Sequence, residues 1–338
     1  MSNAAIDDSL GTRSTSNGSN STVELKYKPF KEAVSELVPF SVAIILANSF
    51  VFVLFSKKNF LRTPANYLLL SLAICDFFTG CVNIPFAIIA FTQAVPYAKL
   101  PDVFYLVTIL HNFTAVATGY HILVITLERY LVFAWEDRRP VSKNAIMRVL
   151  AMVWGASTII AIVPFFWKSE LYANDPKASI LQTSHAVFCL AAVFFLPYIF
   201  IIYAHAVMFV AIKKTRQEMQ AIQIGNEPMK AGCSENEKRC LVIFLIMGTL
   251  YLVCWLPWFT LSLIFSLDDQ TDSGINRTVS HVFAVVRYMT SVLNPVLYTV
   301  FKRDFYNAFK QVFLRKTLEG RLSLSDLETA RNSTRDEL

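Results

Sequence analysis

The chain has 338 residues, of which 54% are hydrophobic and only 17% charged, and its mean hydropathy is +0.45. A soluble domain cannot hide that much apolar surface, so the composition excludes a water-soluble globular protein and indicates one polytopic membrane domain with short tails. The formal net charge of +6 would suggest nucleic acid in a soluble protein, but here its placement along the chain makes it a topology signal and no nucleic-acid partner is expected.

Residues 1–36 are polar, with Ser, Asn and Thr crowded between Ser14 and Thr22, and no apolar run resembles a signal peptide. Sequons at Asn17 and Asn20 fit a disordered, glycosylated tail outside the cell. The same pattern at Asn112 and Asn332, where glycosylation is not expected, shows that a sequon alone is a weak signal.

Apolar stretches of about 20 residues, enough to cross a bilayer, run over Val38–Phe55, Tyr67–Phe91, Phe104–Leu127, Val149–Trp167, Ala186–Ile212, Cys240–Leu267 and Val279–Phe301. Lys57, Lys58 and Arg62 follow the first, Arg138, Arg139, Lys143 and Arg148 the third, Lys213, Lys214 and Arg216 the fifth, and Lys302 and Arg303 the seventh. The alternate connections carry little beyond Lys99, Lys168, Lys177 and Arg277, so the positive-inside rule places the N-terminus outside and the C-terminus inside. Only helices satisfy their own backbone across such lengths without water, and no alternating barrel pattern is present.

Several residues acquire meaning from depth. Asn48 and Asp76 are polar at mid-membrane, where a carboxylate needs partners or a cation. Glu128-Arg129-Tyr130 marks the point at which the third run reaches water, because two charges there are too costly to bury unpaired. Trp154 lies in the fourth run and Pro197 in the fifth; the sixth carries Cys254-Trp255-Leu256-Pro257 and the seventh Asn294-Pro295-Val296-Leu297-Tyr298. Proline inside a membrane helix frees carbonyls and makes a bend or hinge. Residues 302–313 alternate apolar and charged faces, as a short helix lying on the membrane surface would, and 314–338 read as a disordered cytoplasmic tail.

These residues fall one set per span, in order, and the chain from about Leu37 to Phe313 resembles the rhodopsin-like (class A) G-protein-coupled receptors. The resemblance implies an all-α membrane protein, a seven-transmembrane helix bundle (37–301) with a short amphipathic eighth helix, in the plasma membrane. It implies an extracellular ligand and a heterotrimeric G protein inside. Arg129 would be held by Glu128 and Glu237, and outward swing of the sixth helix about Pro257, relayed by Trp255, would free it. Asn294, Pro295 and Tyr298 belong to the same switch. Asp76 and Asn294 would hold an allosteric sodium ion, with no other cofactor expected. Against these readings, a lone proline is more often a packing kink, and the alternative for Glu237 is a solvated charge.

Departures from the family pattern are as informative. No cysteine opens the third span near Phe104 and none lies between Lys168 and Thr183, so the usual external disulfide is missing, and the six cysteines are expected to be mostly unpaired. His205 stands where the family usually has a Tyr that meets Tyr298, and Glu136-Asp137 replaces an apolar docking residue. His111 occupies the position of the aspartate that aminergic receptors use, and Tyr288 that of the retinal-binding lysine. A ligand that is neither amine nor retinal, acidic or lipid-like, is the expectation, with pocket walls at His111, Asn112, Ala115, Cys189, Trp258, Phe259, Arg287 and Tyr288.

Residues 287, 291, 294 and 298 follow helical spacing, so Arg287 shares the inward face with Ser291, Asn294 and Tyr298. An arginine at that depth costs about 2.5 to 3.5 kcal/mol on insertion scales and needs a partner: a ligand anion, Asp76 or kink-freed carbonyls. In the C-terminal tail, Ser323, Ser325, Thr329, Ser333 and Thr334 lie among acidic residues, as expected of sites for a receptor kinase and then arrestin. A seven-helix transporter or ion-conducting protein is the alternative, although no internal repeat is visible. No metal-ligand spacing, Gly-rich phosphate loop or nucleophile motif points to an enzyme.

Overall fold

The computed structural model describes residues 30–91, 100–134, 141–173, 175–222, 231–267, 282–283 and 285–314, and all regular structure among them is helical. Six helices are long and apolar enough to cross a bilayer, and a seventh apolar helix is shorter. The first span is α1 (Phe30–Lys57). The second comprises α2 (Pro64–Phe78), a π-helical turn over Thr79–Asn83 and α3 (Ile84–Phe91). The third is α4 (Leu100–Ala134). The fourth, α5 (Lys143–Ile162), continues through a 3-10 turn into α6 (Lys168–Tyr172). The fifth runs from α7 (Pro176–Phe188) through a π turn over Cys189–Phe195 into α8 (Leu196–Ile222). The sixth is α9 (Ala231–Leu267), the seventh α10 (Met289–Phe301), and α11 (Arg303–Phe309) follows with a last π turn to Leu314.

Helix starts are written locally. Thr63, Ser142 and Asp175 accept hydrogen bonds from the backbone N–H of Asn66 (3.4 Å), Ala145 (3.2 Å) and Lys177 (2.8 Å), which supplies first-turn donors that would otherwise lack partners. Pro64 and Pro176 follow two of these caps at the first helical position, where no N–H is needed. Pro85 and Pro197 fall deep inside spans instead, and each crowds a carbonyl four residues back, that of Cys81 or Val193. Both carbonyls lie in the π turns, whose extra residue absorbs the clash.

Several boundaries differ from the sequence reading. The stretch read as a connection from Lys168 to Thr183 is largely helical, and the fifth span begins at Pro176 rather than Ala186. Its residues Lys177, Gln182 and His185 break the apolar run, but the Asp175-Pro176 cap starts a helix that continues into the span. The seventh helix is interrupted at Arg287 and Tyr288, whose backbone turns before α10 begins. Among the described residues Cys75, Cys81, Cys189, Cys240 and Cys254 are free thiols, and the side chain of Cys233, the sequons at Asn17 and Asn20 and the C-terminal tail lie outside them.

The third span, α4, runs through the middle and packs against α2, α3, α5, α8 and α9. Over its apolar window 56% of residues are buried, against 28% in the first and fourth spans, so its polar residues must find partners inside the bundle. Gly119 permits the tightest approach: a Cβ there would lie 2.6 Å from Tyr251 Oη on α9. Large apolar side chains such as Leu46, Met152, Ile159, Ile199 and Val210 face outward, as lipid contact requires.

Candidate functional site

At one end of the bundle α4, α9 and the turn before α10 bring His111, Asn112, Trp258, Arg287 and Tyr288 together. His111 Nδ1 lies 2.6 Å from the Val107 carbonyl, which can only accept, so that nitrogen carries the proton. Nε2 is then the acceptor for both the Tyr288 hydroxyl (2.7 Å) and Arg287 Nη2 (3.0 Å). The imidazole is therefore in its neutral Nδ1–H form. The Arg287 guanidinium carbon sits 4.2 Å from the centroid of the Trp258 indole, and Trp258 Nε1 donates to Asn112 Oδ1 at 3.4 Å.

Arg287 is only 2% exposed, yet its Nε and Nη1 have no hydrogen-bond partner, and among the described residues it belongs to no ion pair. It does not bond to Asp76, so that sequence alternative is corrected: the turn before α10 aims the guanidinium at His111 instead. Ala115, Cys189 and Phe259 lie in the apolar cluster of α4, the π turn over Cys189–Phe195, α8 and α9 rather than in hydrogen-bonding contact with this polar group. Cys189 packs with His185, and the Phe259 ring meets Phe194 and Trp255.

Deeper in the bundle, Asn294 Nδ2 donates to Asp76 Oδ2 at 3.1 Å, and Asn48 Nδ2 donates to the carbonyls of Ile44 and Ser291. Asp76 Oδ1 and Asn294 Oδ1 are buried without partners. Trp255 Nε1 donates to Thr290 Oγ1 at 3.3 Å, and its ring lies between those of Tyr251 and Phe259, two residues before Pro257 in α9.

At the opposite end Arg129 Nε lies 3.2 Å from Glu128 Oε2, with its guanidinium 5.8 Å from the Phe244 centroid on α9. Tyr130 packs edge-on to Phe200 of α8. The side chain of Glu237 lies outside the described residues. His205 turns Nδ1 to the Ile201 carbonyl (2.8 Å), while Tyr298 packs on Phe305 with its buried hydroxyl unpartnered. Pro295 lies inside α10 one turn before Tyr298.

Two arrangements were not foreseen from sequence. Trp154 Nε1 donates to Ser71 Oγ (2.9 Å), Ser71 donates to His121 Nε2 (2.8 Å), and His121 Nδ1 donates to the Ala117 carbonyl (2.7 Å). An indole N–H inside a span needs an acceptor, and that demand was the available signal. At the elbow after α10, Lys302 Nζ donates to Asn66 Oδ1 (2.7 Å) and Asp304 Oδ2 (3.0 Å). Burial pushes the Lys302 pKa down, with Asp304 opposing. Among the described residues no cluster of His, Cys, Asp and Glu has metal-binding geometry.

Residues 47–298 match the profile of the 7 transmembrane receptor (rhodopsin family). The chain is similar to 5-hydroxytryptamine receptor 1D of Rattus norvegicus, 24% identical over 330 residues, with 80% of this chain and 86% of that protein covered. It is also similar to 5-hydroxytryptamine receptor 1B of Felis catus, at 23% over 334 residues, with 82% and 84% covered. The crystal structure of squid rhodopsin shares the fold, with a TM-score of 0.71 at 18% identity and 86% and 87% of the two chains covered. The chain belongs to the rhodopsin family of seven-transmembrane receptors and is a receptor, not an enzyme.

Proposed function

We propose that this receptor sits in the plasma membrane with its Arg287 end outside, binds an acidic ligand at Arg287, and activates a heterotrimeric G protein at its Arg129 end. The observation that carries the reading is a buried guanidinium with two nitrogens unpartnered and a neutral imidazole as its hydrogen-bond acceptor. A buried cation without a counter-charge is costly, and a ligand carboxylate or phosphate would relieve that cost through paired, charge-assisted bonds. The similar receptors named for 5-hydroxytryptamine take an amine by name. An ammonium group beside Arg287 would meet like charge, and no carboxylate among the described residues stands at His111 to compensate. Trp258 and Phe259 would contact an apolar ligand body, which keeps lipid-like acids within the class. The family match leaves the transporter alternative without support.

Arg287 is stacked on Trp258, which follows Pro257 directly in α9. A ligand that draws the guanidinium would therefore act on α9 beside its hinge, and outward movement of the Arg129 end of α9 would release Arg129 from Glu128 and Glu237. Receptor kinase and arrestin would then engage the C-terminal tail. Asp76 and Asn294 suit a sodium ion, since each has a buried oxygen without a partner and hard oxygen donors match a small hard cation. Bound there, the ion would supply positive charge to a buried carboxylate. The binding reading is tested by the affinity of any agonist for wild type, Arg287→Lys and Arg287→Gln: an acidic agonist should weaken in that order. Binding indifferent to Gln would reject it.

A further inference from the structure

We infer that the ligand acid carries a neutral O–H or N–H donor beside its anion, and that Asn83 on the second span selects for that donor. The inference rests on the anchoring role of Arg287 proposed above. It adds the residue that reads the other half of the headgroup.

Asn83 closes the π turn between α2 and α3 and is fully buried. Its Nδ2 donates to the Leu110 carbonyl (3.2 Å) and to Thr114 Oγ1 (3.0 Å), both on α4. The carbonyl can only accept, which fixes the amide's orientation, and both amide hydrogens are spent. Thr114 returns no bond, because its one hydroxyl hydrogen is directed at the carbonyls of Leu110 and His111 (3.1 Å each). Asn83 Oδ1 is left buried without a donor. In the same π turn the Gly80 carbonyl accepts from Ser41 Oγ (2.8 Å), so that backbone group has found its partner while the side chain has not.

The same turn of α4 serves Asn83 and Arg287. Leu110 and Thr114 hold Asn83, and His111 between them accepts from Arg287 and Tyr288. Ile84, which follows Asn83, shares an apolar cluster with Tyr288, which follows Arg287. An orphan acceptor and two orphan donor nitrogens therefore border one stretch of helix without pairing with each other. Each is costly to leave unmade.

A water would satisfy Oδ1 but not the charge at Arg287, and a plain carboxylate would do the reverse. One molecule answers both when a neutral donor stands beside its anion, as in a hydroxy acid or an N-acylated amino acid. A free amino acid would bring an ammonium group toward Arg287, which like charge disfavours.

The test is calorimetric titration of the full chain in detergent with three probes of one shape: mandelate, its O-methyl ether, which lacks the hydroxyl hydrogen, and phenylacetate, which lacks the oxygen. The phenyl ring suits the aromatic walls at Trp258 and Phe259. Wild type should bind one enantiomer of mandelate about tenfold tighter than either of the others, the worth of one hydrogen bond to a buried acceptor. Asn83→Leu should bring mandelate down to the level of phenylacetate. In that variant the Leu110 carbonyl keeps its bond from Thr114, so no buried carbonyl is stranded. Arg287→Gln should weaken all three probes together and keep their order.

Equal binding of mandelate and phenylacetate by wild type would overturn the inference, would mean that Oδ1 holds a buried water only, and would leave the Arg287 anchor standing. This comparison needs no variant to fold. A hydroxyl preference that survives Asn83→Leu would also overturn it, by giving the donor to another acceptor. Acids that bind wild type and Arg287→Gln alike would overturn the anchor instead, and no binding of any of the three by wild type would overturn both.

Discussion

Arg287 Nη2 and His111 Nε2 meet 3.0 Å apart inside the bundle, and since the imidazole is neutral the pair carries the guanidinium charge uncompensated. The Tyr288 hydroxyl shares the same acceptor at 2.7 Å. His111→Ala should leave both donors unpaired and cost about 1 to 3 kcal/mol of stability, read as a lower unfolding temperature. An unchanged melting curve would mean that the three side chains do not form this cluster.

The close approach of Gly119 and Tyr251 makes a second prediction. An alanine methyl would lie 2.6 Å from Tyr251 Oη and 2.8 Å from Cζ, so the ring, whose hydroxyl donates to the Ala115 carbonyl, would have to move. Gly119→Ala should destabilise by about 1 to 3 kcal/mol through overpacking. In a Tyr251→Leu background the same substitution should cost less, and a double-mutant cycle with no coupling would reject the contact.

The relay from Trp154 through Ser71 to His121 predicts asymmetry. Ser71→Ala strands a half-buried indole N–H and a buried imidazole nitrogen together, and should cost more than Trp154→Phe, which removes the first donor of the chain. Thermal unfolding of the two variants, compared directly, checks the order, and the reverse order would contradict the relay.

Where the sequence lacks the cysteines of the family's usual disulfide, Lys168 pairs with Asp102 between the starts of α4 and α6 and lies over the Tyr105 ring. The Asp102 side chain is 66% exposed, so the pair is worth less than about 1 kcal/mol and weakens with salt. Reductant should leave the unfolding temperature of the receptor unchanged, while Lys168→Gln should lower it slightly at low salt only. A reductant-sensitive transition would reveal a disulfide.

At the other end, Arg129→Ala should abolish coupling, and Glu128→Gln should raise agonist-free signalling by loosening the ion pair at 3.2 Å. Nucleotide exchange at equal surface expression measures both. Basal exchange no higher in Glu128→Gln would show that this carboxylate does not restrain Arg129.

Much of this was legible in the chain. Long apolar runs and the placement of Lys and Arg gave the spans, while the equally local caps at Thr63, Ser142 and Asp175 were not read from the chain. Helical spacing put Arg287 on the inward face of the seventh span, but its partner depends on how α4 is rotated against the turn before α10, which no local pattern encodes. The helical stretch from Pro176 was hidden because hydropathy registers the bilayer rather than the helix, and its polar residues read as a connection. Pro197 was visible as a bend or hinge, whereas Pro85 was not singled out, and whether a proline in a span becomes a π turn is decided by the packing around it.

On the proposed function, an acid anchored by Arg287 switches on a G protein. The most direct measurement is nucleotide exchange by a heterotrimeric G protein on purified, reconstituted receptor, screened with carboxylic acids, their neutral amides and 5-hydroxytryptamine. Acids should activate wild type while their amides do not, and Arg287→Gln should weaken the response to them by about 2 to 5 kcal/mol, thirtyfold or more in potency. Activation by 5-hydroxytryptamine, or by an acid and its amide alike, with Arg287→Gln responding as wild type does, would contradict it.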